Sequence, residues 1–216
     1  MDAQARTSLA EASAKAAEEG RTDEARRGFA GALAGDVRDI HVLFLGFQFH
    51  FRAGEYDQAQ RLVERRLDVL GRETRSGDVA RAYANLSLIH TFRGTLEDAE
   101  RAAETAIRVA REIGCEYEES RGQHNLAMVY EKRGDLERAE HIYRQALVIA
   151  ERIGADDLAA SKLANLGDIA AMRGHTDESR ELWSRAVVLF ELLGHGKNAR
   201  EFAEKVRVLD AGRKEN

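Results

Sequence analysis

The chain has 216 residues, of which 44% are hydrophobic, 33% charged and only 6% aromatic, with one cysteine and no proline. This composition favours helices over strands, and the formal net charge of −5 argues against a nucleic acid partner, because duplex binding depends on Lys and Arg neutralising phosphates. A lone cysteine excludes an intramolecular disulfide. No apolar stretch is long enough for a signal peptide or a membrane span, which predicts a cytoplasmic protein without a membrane partner.

Turn glycines recur along the chain at spacings of 34, 40, 40 and 40 residues, at Gly20, Gly54, Gly94, Gly134 and Gly174. Helical segments flank each of them, and the last three of the following segments end at a further glycine, which is a helix stop signal. A repeat of this length indicates stacked helix-turn-helix units. We therefore predict one domain over residues 1–212, with repeats at about 5–36, 38–72, 78–114, 118–154 and 158–194, a capping helix at 196–211 and a disordered tail at 213–216.

The first two repeats are irregular. Residues 26–36 contain three glycines, each costing about 1 kcal/mol relative to alanine inside a helix, so the second helix of the first repeat should be short. The next segment, HVLFLGFQFHF (41–51), alternates like a strand, but its place in the repeat predicts a helix that turns Leu43, Phe44 and Phe47 toward a ligand. The alternative is that both rings pack on the first repeat.

The later repeats share a leucine followed by a small residue in their first helices, at Leu86-Ser87, Leu126-Ala127 and Leu166-Gly167. A small residue also follows each turn glycine by five positions, where two helices can approach closely. This pattern resembles the tetratricopeptide repeat in a degenerate form that lacks the terminal proline. In length it is similar to the repeats of kinesin light chains, Pins-type spindle scaffolds and bacterial Rap-type and MalT-type regulators. The resemblance implies an all-α, right-handed solenoid of five helix-turn-helix repeats with a capping helix, whose first helices line a concave groove.

Candidate ligand-binding residues recur in those first helices. An asparagine precedes each leucine, and its amide can donate and accept hydrogen bonds to an extended peptide at once; the resemblance implies the same role for Asn85, Asn125 and Asn165. One turn earlier, Arg81 and Arg121 would favour acidic ligand residues. His124 lies beside Asn125, and further groove positions are Leu88, Met128 and Asp168. Alternatively, the asparagines hold neighbouring helices together and the arginines pair with nearby glutamates.

No signature of catalysis or metal binding is present. The seven histidines include no HExxH motif, there is no cysteine pair, and GxSxG, GxGxxG and phosphate-loop motifs are missing. We therefore expect no cofactor, no metal site and no enzyme activity. The predicted function is that of an adaptor or scaffold that binds a protein or an extended peptide with acidic and apolar residues. Two alternatives stay open, namely a regulatory module that senses a signal peptide and a structural oligomerisation module.

Overall fold

In the computed structural model, which describes residues 1–212, the chain forms eleven α-helices and no strand within that range. The helices are α1 Ala3–Glu18, α2 Thr22–Ala32, α3 Ile40–Arg52, α4 Tyr56–Leu70, α5 Gly77–Arg93, α6 Leu96–Glu112, α7 Glu116–Lys132, α8 Leu136–Arg152, α9 Asp156–Met172, α10 Thr176–Leu192 and α11 Gly196–Gly212. The prediction of an all-α protein is confirmed. The tail expected at 213–216 lies outside the described residues.

The turn glycines end the first helix of each pair, as the sequence predicts. Gly134 has a φ of 80°, a left-handed conformation that a residue with a Cβ adopts only at a cost. The next residue, Asp135, donates its amide to the Tyr130 carbonyl at 2.9 Å, which closes the end of α7. The chain thereby reverses within three residues, so that α7 and α8 pack as an antiparallel pair.

The chain divides into two compact units, Met1–Ala102 and Ala103–Asn216. The interpretation of residues 1–212 as a single domain stays a prediction. In the first unit, the core joins α1, α2 and α3 around Phe29, Leu43 and Phe49. The helix α2 has 11 residues, as the glycine content predicts. Gly28 has a second reason to be small, because a Cβ there would lie 1.9 Å from the Ser13 hydroxyl of α1.

In the second unit, the core joins α7 to α11 around Tyr143, Leu163, Ile169 and Trp183. The small residue that follows Leu166 has a direct structural reason. A Cβ on Gly167 would lie 2.4 Å from Cδ1 of Trp183, so the indole of α10 can rest on the backbone of α9 only because that position is glycine. This contact fixes α10 against the helix that carries Asn165 and Asp168.

Candidate functional site

In the second unit, the candidate residues lie on adjacent helices. Positions 121, 124, 125 and 128 of α7 share one helical face, and positions 161, 165 and 168 share the corresponding face of α9. The two helices are joined near their starts, where the Tyr117 hydroxyl donates to an Asp157 carboxylate oxygen at 2.6 Å. Burial, and then this carboxylate, raise the pKa of Tyr117 to about 12. The face of α7 and the corresponding face of α9 therefore both carry polar groups on neighbouring helices.

A basic cluster lies under this surface. Lys162 is fully buried at 0% exposure, and its Nζ donates one hydrogen bond, to the Leu158 carbonyl at 3.3 Å. Burial lowers the pKa of Lys162 to about 7, against the opposing influence of Asp157. His124 is partly exposed as a residue, but its Nδ1 is buried and has no hydrogen-bond partner among the described residues. Burial, followed by the charges of Lys162 and Arg121, lowers the pKa of His124 to about 3.

Arg121 is the exposed part of this cluster. Its side chain is 25% exposed and lies 3.6 Å from a carboxylate oxygen of Glu118, a loose pair within one helix turn. The partly exposed Arg121 lies on the same helical face as His124. The alternative expected for the arginines, a pairing with nearby glutamates, applies to Arg121 at least in part.

Asn165 makes a hydrogen bond inside the second unit. Its Nδ2 donates to the hydroxyl of Tyr143 at 2.8 Å, and that hydroxyl donates to Oε2 of Glu131 at 3.1 Å. Tyr143 is fully buried, and burial raises the pKa values of both Tyr143 and Glu131. Asn165 is partly exposed as a residue. Its hydrogen bond to Tyr143 joins two repeats and uses only one of the bonds that its amide can make.

Asp168, on the same helix as Asn165, accepts hydrogen bonds from two other helices. One carboxylate oxygen accepts hydrogen bonds from Nε1 of Trp183 at 3.1 Å and from Nζ of Lys205 at 2.7 Å. The ammonium of Lys205 also lies 5.2 Å from the centre of the Trp183 ring. Lys205 lies 40 residues after Asn165, so the last helix carries a cation where the earlier repeats carry an amide.

The other two asparagines are more deeply packed. Asn85 is 3% exposed and Asn125 is 6% exposed, so neither amide has much surface to offer a ligand in this conformation. Met128 is partly exposed on α7. In the first unit, Arg81 and Leu88 of α5 are also partly exposed and occupy the equivalent positions of their repeat.

The aromatic residues of α3 are placed differently from the expectation of a groove end. Phe47 is 5% exposed, and its ring lies 6.1 Å from that of Phe44 and 5.8 Å from that of Phe51. Phe44 is partly exposed, and the guanidinium of Arg66 lies 5.4 Å from its ring centre. The expectation that Leu43 faces a ligand is wrong, because it is 0% exposed and lies with Val42 and Phe49 in the core shared with the first repeat. Phe47 therefore offers little surface to a ligand.

Several polar residues of this region were missed in the sequence reasoning. Lys162 is the clearest case, because it lies 40 residues after Gly122 and 40 before Phe202, at equivalent positions of successive repeats that are buried. A lysine at such a position could have been recognised from the sequence as a buried charge. Glu131 and Tyr143 gave no such signal, because their contact depends on how α7 packs against α8.

Two further properties bear on function. No described helix has the length and hydropathy needed to cross a bilayer. Within residues 1–212, no three His, Cys, Asp or Glu side chains come together in a way that could hold a metal ion.

Comparisons with known proteins agree with this architecture. The family model described as tetratricopeptide repeat matches residues 118–205, and the model for anaphase-promoting complex subunit 5 matches residues 43–117, each under half of the chain. No curated protein matches the sequence.

Several solved structures share the fold. BtubC (BKLC) from P. vanneervenii has 17% identity and a TM-score of 0.60, covering 99% of this chain and 93% of that one. A Rap protein complexed with Competence and Sporulation Factor has 14% identity and a TM-score of 0.70, covering 96% and 75%. The repeats of a putative kinesin light chain from Podosopora anserina have 15% identity and a TM-score of 0.57, covering 83% and 98%.

At these identities the structural likeness concerns the fold alone. The fold, the turn glycines and the repeat match over the second unit nevertheless agree with one another. The chain therefore has an all-α fold of the tetratricopeptide-repeat type.

Proposed function

We propose that the chain is a non-catalytic binding module that holds an extended segment of another polypeptide along the face of α7 and α9. The observation that carries this proposal is the set of partly exposed polar and apolar side chains that these adjacent helices present together, namely Arg121, His124, Met128, Asn165 and Asp168. A peptide backbone needs donors and acceptors along its length, and a mixed row of this kind supplies both.

The burial of the asparagines divides their roles in this proposal. Asn165 contacts the ligand, whereas Asn125 and Asn85 position their helices, because they are 6% and 3% exposed. In the first unit, the partly exposed candidates are Arg81, Leu88 and Phe44, and the buried ring of Phe47 contacts that of Phe44. The arginines favour a ligand with acidic residues, and Leu88 and Met128 favour apolar ones.

The energies allow moderate affinity. Neutral hydrogen bonds contribute about 0.5–1.5 kcal/mol each and bonds to a charged group about 1.5–3 kcal/mol, against an association cost of about 4–15 kcal/mol. A few such contacts with one apolar anchor of about 1.5–3 kcal/mol are consistent with micromolar binding, about −8 kcal/mol.

The test is selection of peptides from a random library on the immobilised full chain, followed by titration calorimetry with the selected peptides. Arg121→Ala should weaken binding at least tenfold, since it removes a charge-assisted contact. The matched control is Arg185→Ala on α10, whose guanidinium pairs on the surface with Glu151 at 2.7 Å. Equal affinities for both variants and the parent chain would contradict the proposed site.

A second candidate is a regulatory module that senses a signal peptide. Its support is the likeness to the Rap protein complexed with Competence and Sporulation Factor, which extends over 96% of this chain. Solution scattering distinguishes the two candidates, because a sensing module should change its radius of gyration when a selected peptide binds, whereas a passive scaffold should not.

A further inference from the structure

A basic side chain occupies a core position of α9, beside the face of α7 and α9. Lys162 is 0% exposed, and the equivalent positions of other repeats hold Ala82, Gly122 and Phe202, all of which are buried. An amine at such a position costs folding free energy that an apolar or small side chain does not. A cost of this kind next to a proposed binding face indicates that the amine has a role in binding.

The hydrogen bonds of this amine fit its neutral form better than its charged form. An ammonium has three N–H donors, whereas Nζ of Lys162 donates one hydrogen bond among the described residues, to the Leu158 carbonyl at 3.3 Å. The charged form would therefore bury two donors without a partner. The pKa of Lys162 agrees with this geometry, because burial lowers it from 10.5 to about 7.

The charges that act on the amine come from α9 itself and from α7. Asp157 favours the protonated form, but this carboxylate also accepts a hydrogen bond from the Tyr117 hydroxyl at 2.6 Å. Arg121 opposes protonation, and Glu118 lies 3.6 Å from its guanidinium. The attraction of Asp157 is therefore too weak to outweigh burial, and the amine lies close to the balance between its two forms.

The titratable groups that α7 and α8 add to this region stay neutral near pH 7. The charges of Arg121 and Lys162 reach the ring of His124 and, together with burial, lower its pKa to about 3. The ring of Tyr143 on α8 lies 5.3 Å from that of His124, and burial raises its pKa. From α10, the uncharged indole of Trp183 packs on α9. Lys162 is therefore the group of this cluster that changes its charge near neutral pH.

We propose that the face of α7 and α9 binds an acidic ligand residue together with a proton from solvent, with the carboxylate at Arg121 and the proton on Nζ of Lys162. This proposal rests on the proposed peptide-binding function and adds its regulation by pH. The carboxylate acts in the same direction as Asp157. It does not need to touch the amine, because charges in a protein interact through an effective dielectric constant of about 20, against about 80 in water.

The coupling between the carboxylate and the proton has a defined sign. A bound carboxylate raises the pKa of Lys162, and protonated Lys162 strengthens carboxylate binding by the same factor. Affinity for an acidic ligand should therefore increase as the pH falls through about 7. An uncharged ligand gains nothing from protonation, so its affinity should not increase in this interval.

The first experiment uses the full chain with acetate as the carboxylate probe and acetamide as its uncharged counterpart. The Cε signal of Lys162 is followed by NMR as the pH is varied, at an ionic strength held constant with sodium chloride. Acetate should raise the midpoint by about 0.3–1 pH unit, which means about twofold to tenfold tighter binding to the protonated chain. Acetamide should leave the midpoint unchanged. A midpoint that acetate does not move, or moves equally in Arg121→Ala, would overturn the proposal.

The second experiment measures the affinity of a selected acidic peptide at pH 6 and pH 8.5. The parent chain should bind it at least threefold more tightly at pH 6. Lys162→Met should lose this dependence on pH, whereas Lys132→Met, at an exposed position of α7, should keep it. The same peptide with its acidic residue replaced by the corresponding amide should bind equally at both pH values.

These affinities also separate the proposal from the function on which it rests. If Arg121→Ala weakens binding but the parent chain binds equally at both pH values, the coupling to Lys162 is overturned and the proposed function stands. If Arg121→Ala leaves the affinity unchanged, the proposed binding face fails, and the coupling fails with it.

Discussion

The replacement Lys162→Met tests the energetics of the second unit most directly. The methionine keeps an unbranched side chain of similar length but removes an amine that is fully buried and makes one hydrogen bond at 3.3 Å. The charged groups around this amine are Asp157 on its own helix and Arg121 on α7, with the neutral ring of His124 beside it. Asp157 stabilises the protonated amine, but burial outweighs that effect.

The magnitude follows from the pKa. A lowering from 10.5 to about 7 means that the protonated form costs the folded state about 5 kcal/mol, at about 1.4 kcal/mol for each pKa unit. Below pH 7 this amine is protonated in both the folded and the unfolded chain, so the full cost is present. Between pH 7 and pH 10.5 the folded chain releases the proton while the unfolded chain keeps it. The contribution of Lys162 to the free energy of unfolding therefore rises with pH in this interval.

We expect the Met variant to be more stable than the parent by about 2–5 kcal/mol at pH 6, and this advantage to shrink by several kcal/mol at pH 10. The measurement is urea unfolding followed by circular dichroism at both pH values. Lys132→Met is the control, because Lys132 is exposed on α7 and its loss should change the stability by no more than about 0.5 kcal/mol. A Met variant that is less stable at pH 6, or whose advantage does not depend on pH, would refute the reasoning.

Three further predictions concern stability and use the same assay. Folding lowers the pKa of His124 from 6.5 to about 3, so its contribution to the free energy of unfolding is present above pH 6.5 and is lost as the pH falls toward 3. In His124→Gln, the stability of the second unit should therefore fall less steeply with decreasing pH, and an unchanged pH dependence would contradict this. Gly167→Ala places a Cβ 2.4 Å from the Trp183 ring and should cost about 1–3 kcal/mol, whereas Gly77→Ala, with nothing within 4 Å, should be neutral or mildly stabilising. Gly134→Ala forces a side chain into a φ of 80° and should cost about 1–2 kcal/mol; a cost near zero would show that the turn relaxes.

The helical pairs could be predicted because the turn glycines are local signals. A glycine such as Gly134 ends a helix through its own backbone conformation, so the position of the turn can be read from the residue itself. Even the short α2 follows from its glycine content. The second reason for Gly28, its contact with Ser13, depends on tertiary packing and could not be read in this way.

The candidate site was harder to predict, because exposure depends on neighbouring helices. Asn125 and Asn165 have the same place in the repeat, yet Asn125 is 6% exposed while Asn165 remains partly exposed. The hydroxyl of Tyr143 on α8 accepts from Asn165, a tertiary contact that the repeat pattern does not reveal. The burial of Lys162, in contrast, could have been read from its place in the repeat, 40 residues before the buried Phe202.

The contact between Trp183 and Asp168 provides an intrinsic fluorescence signal for ligand binding. Trp183 is the only tryptophan in the chain, and its indole donates directly to a carboxylate that we place in the ligand-binding face. A peptide that engages Asp168 changes the hydrogen bond and the electric field at this single indole. Its fluorescence emission can therefore follow binding to the second unit without any added label.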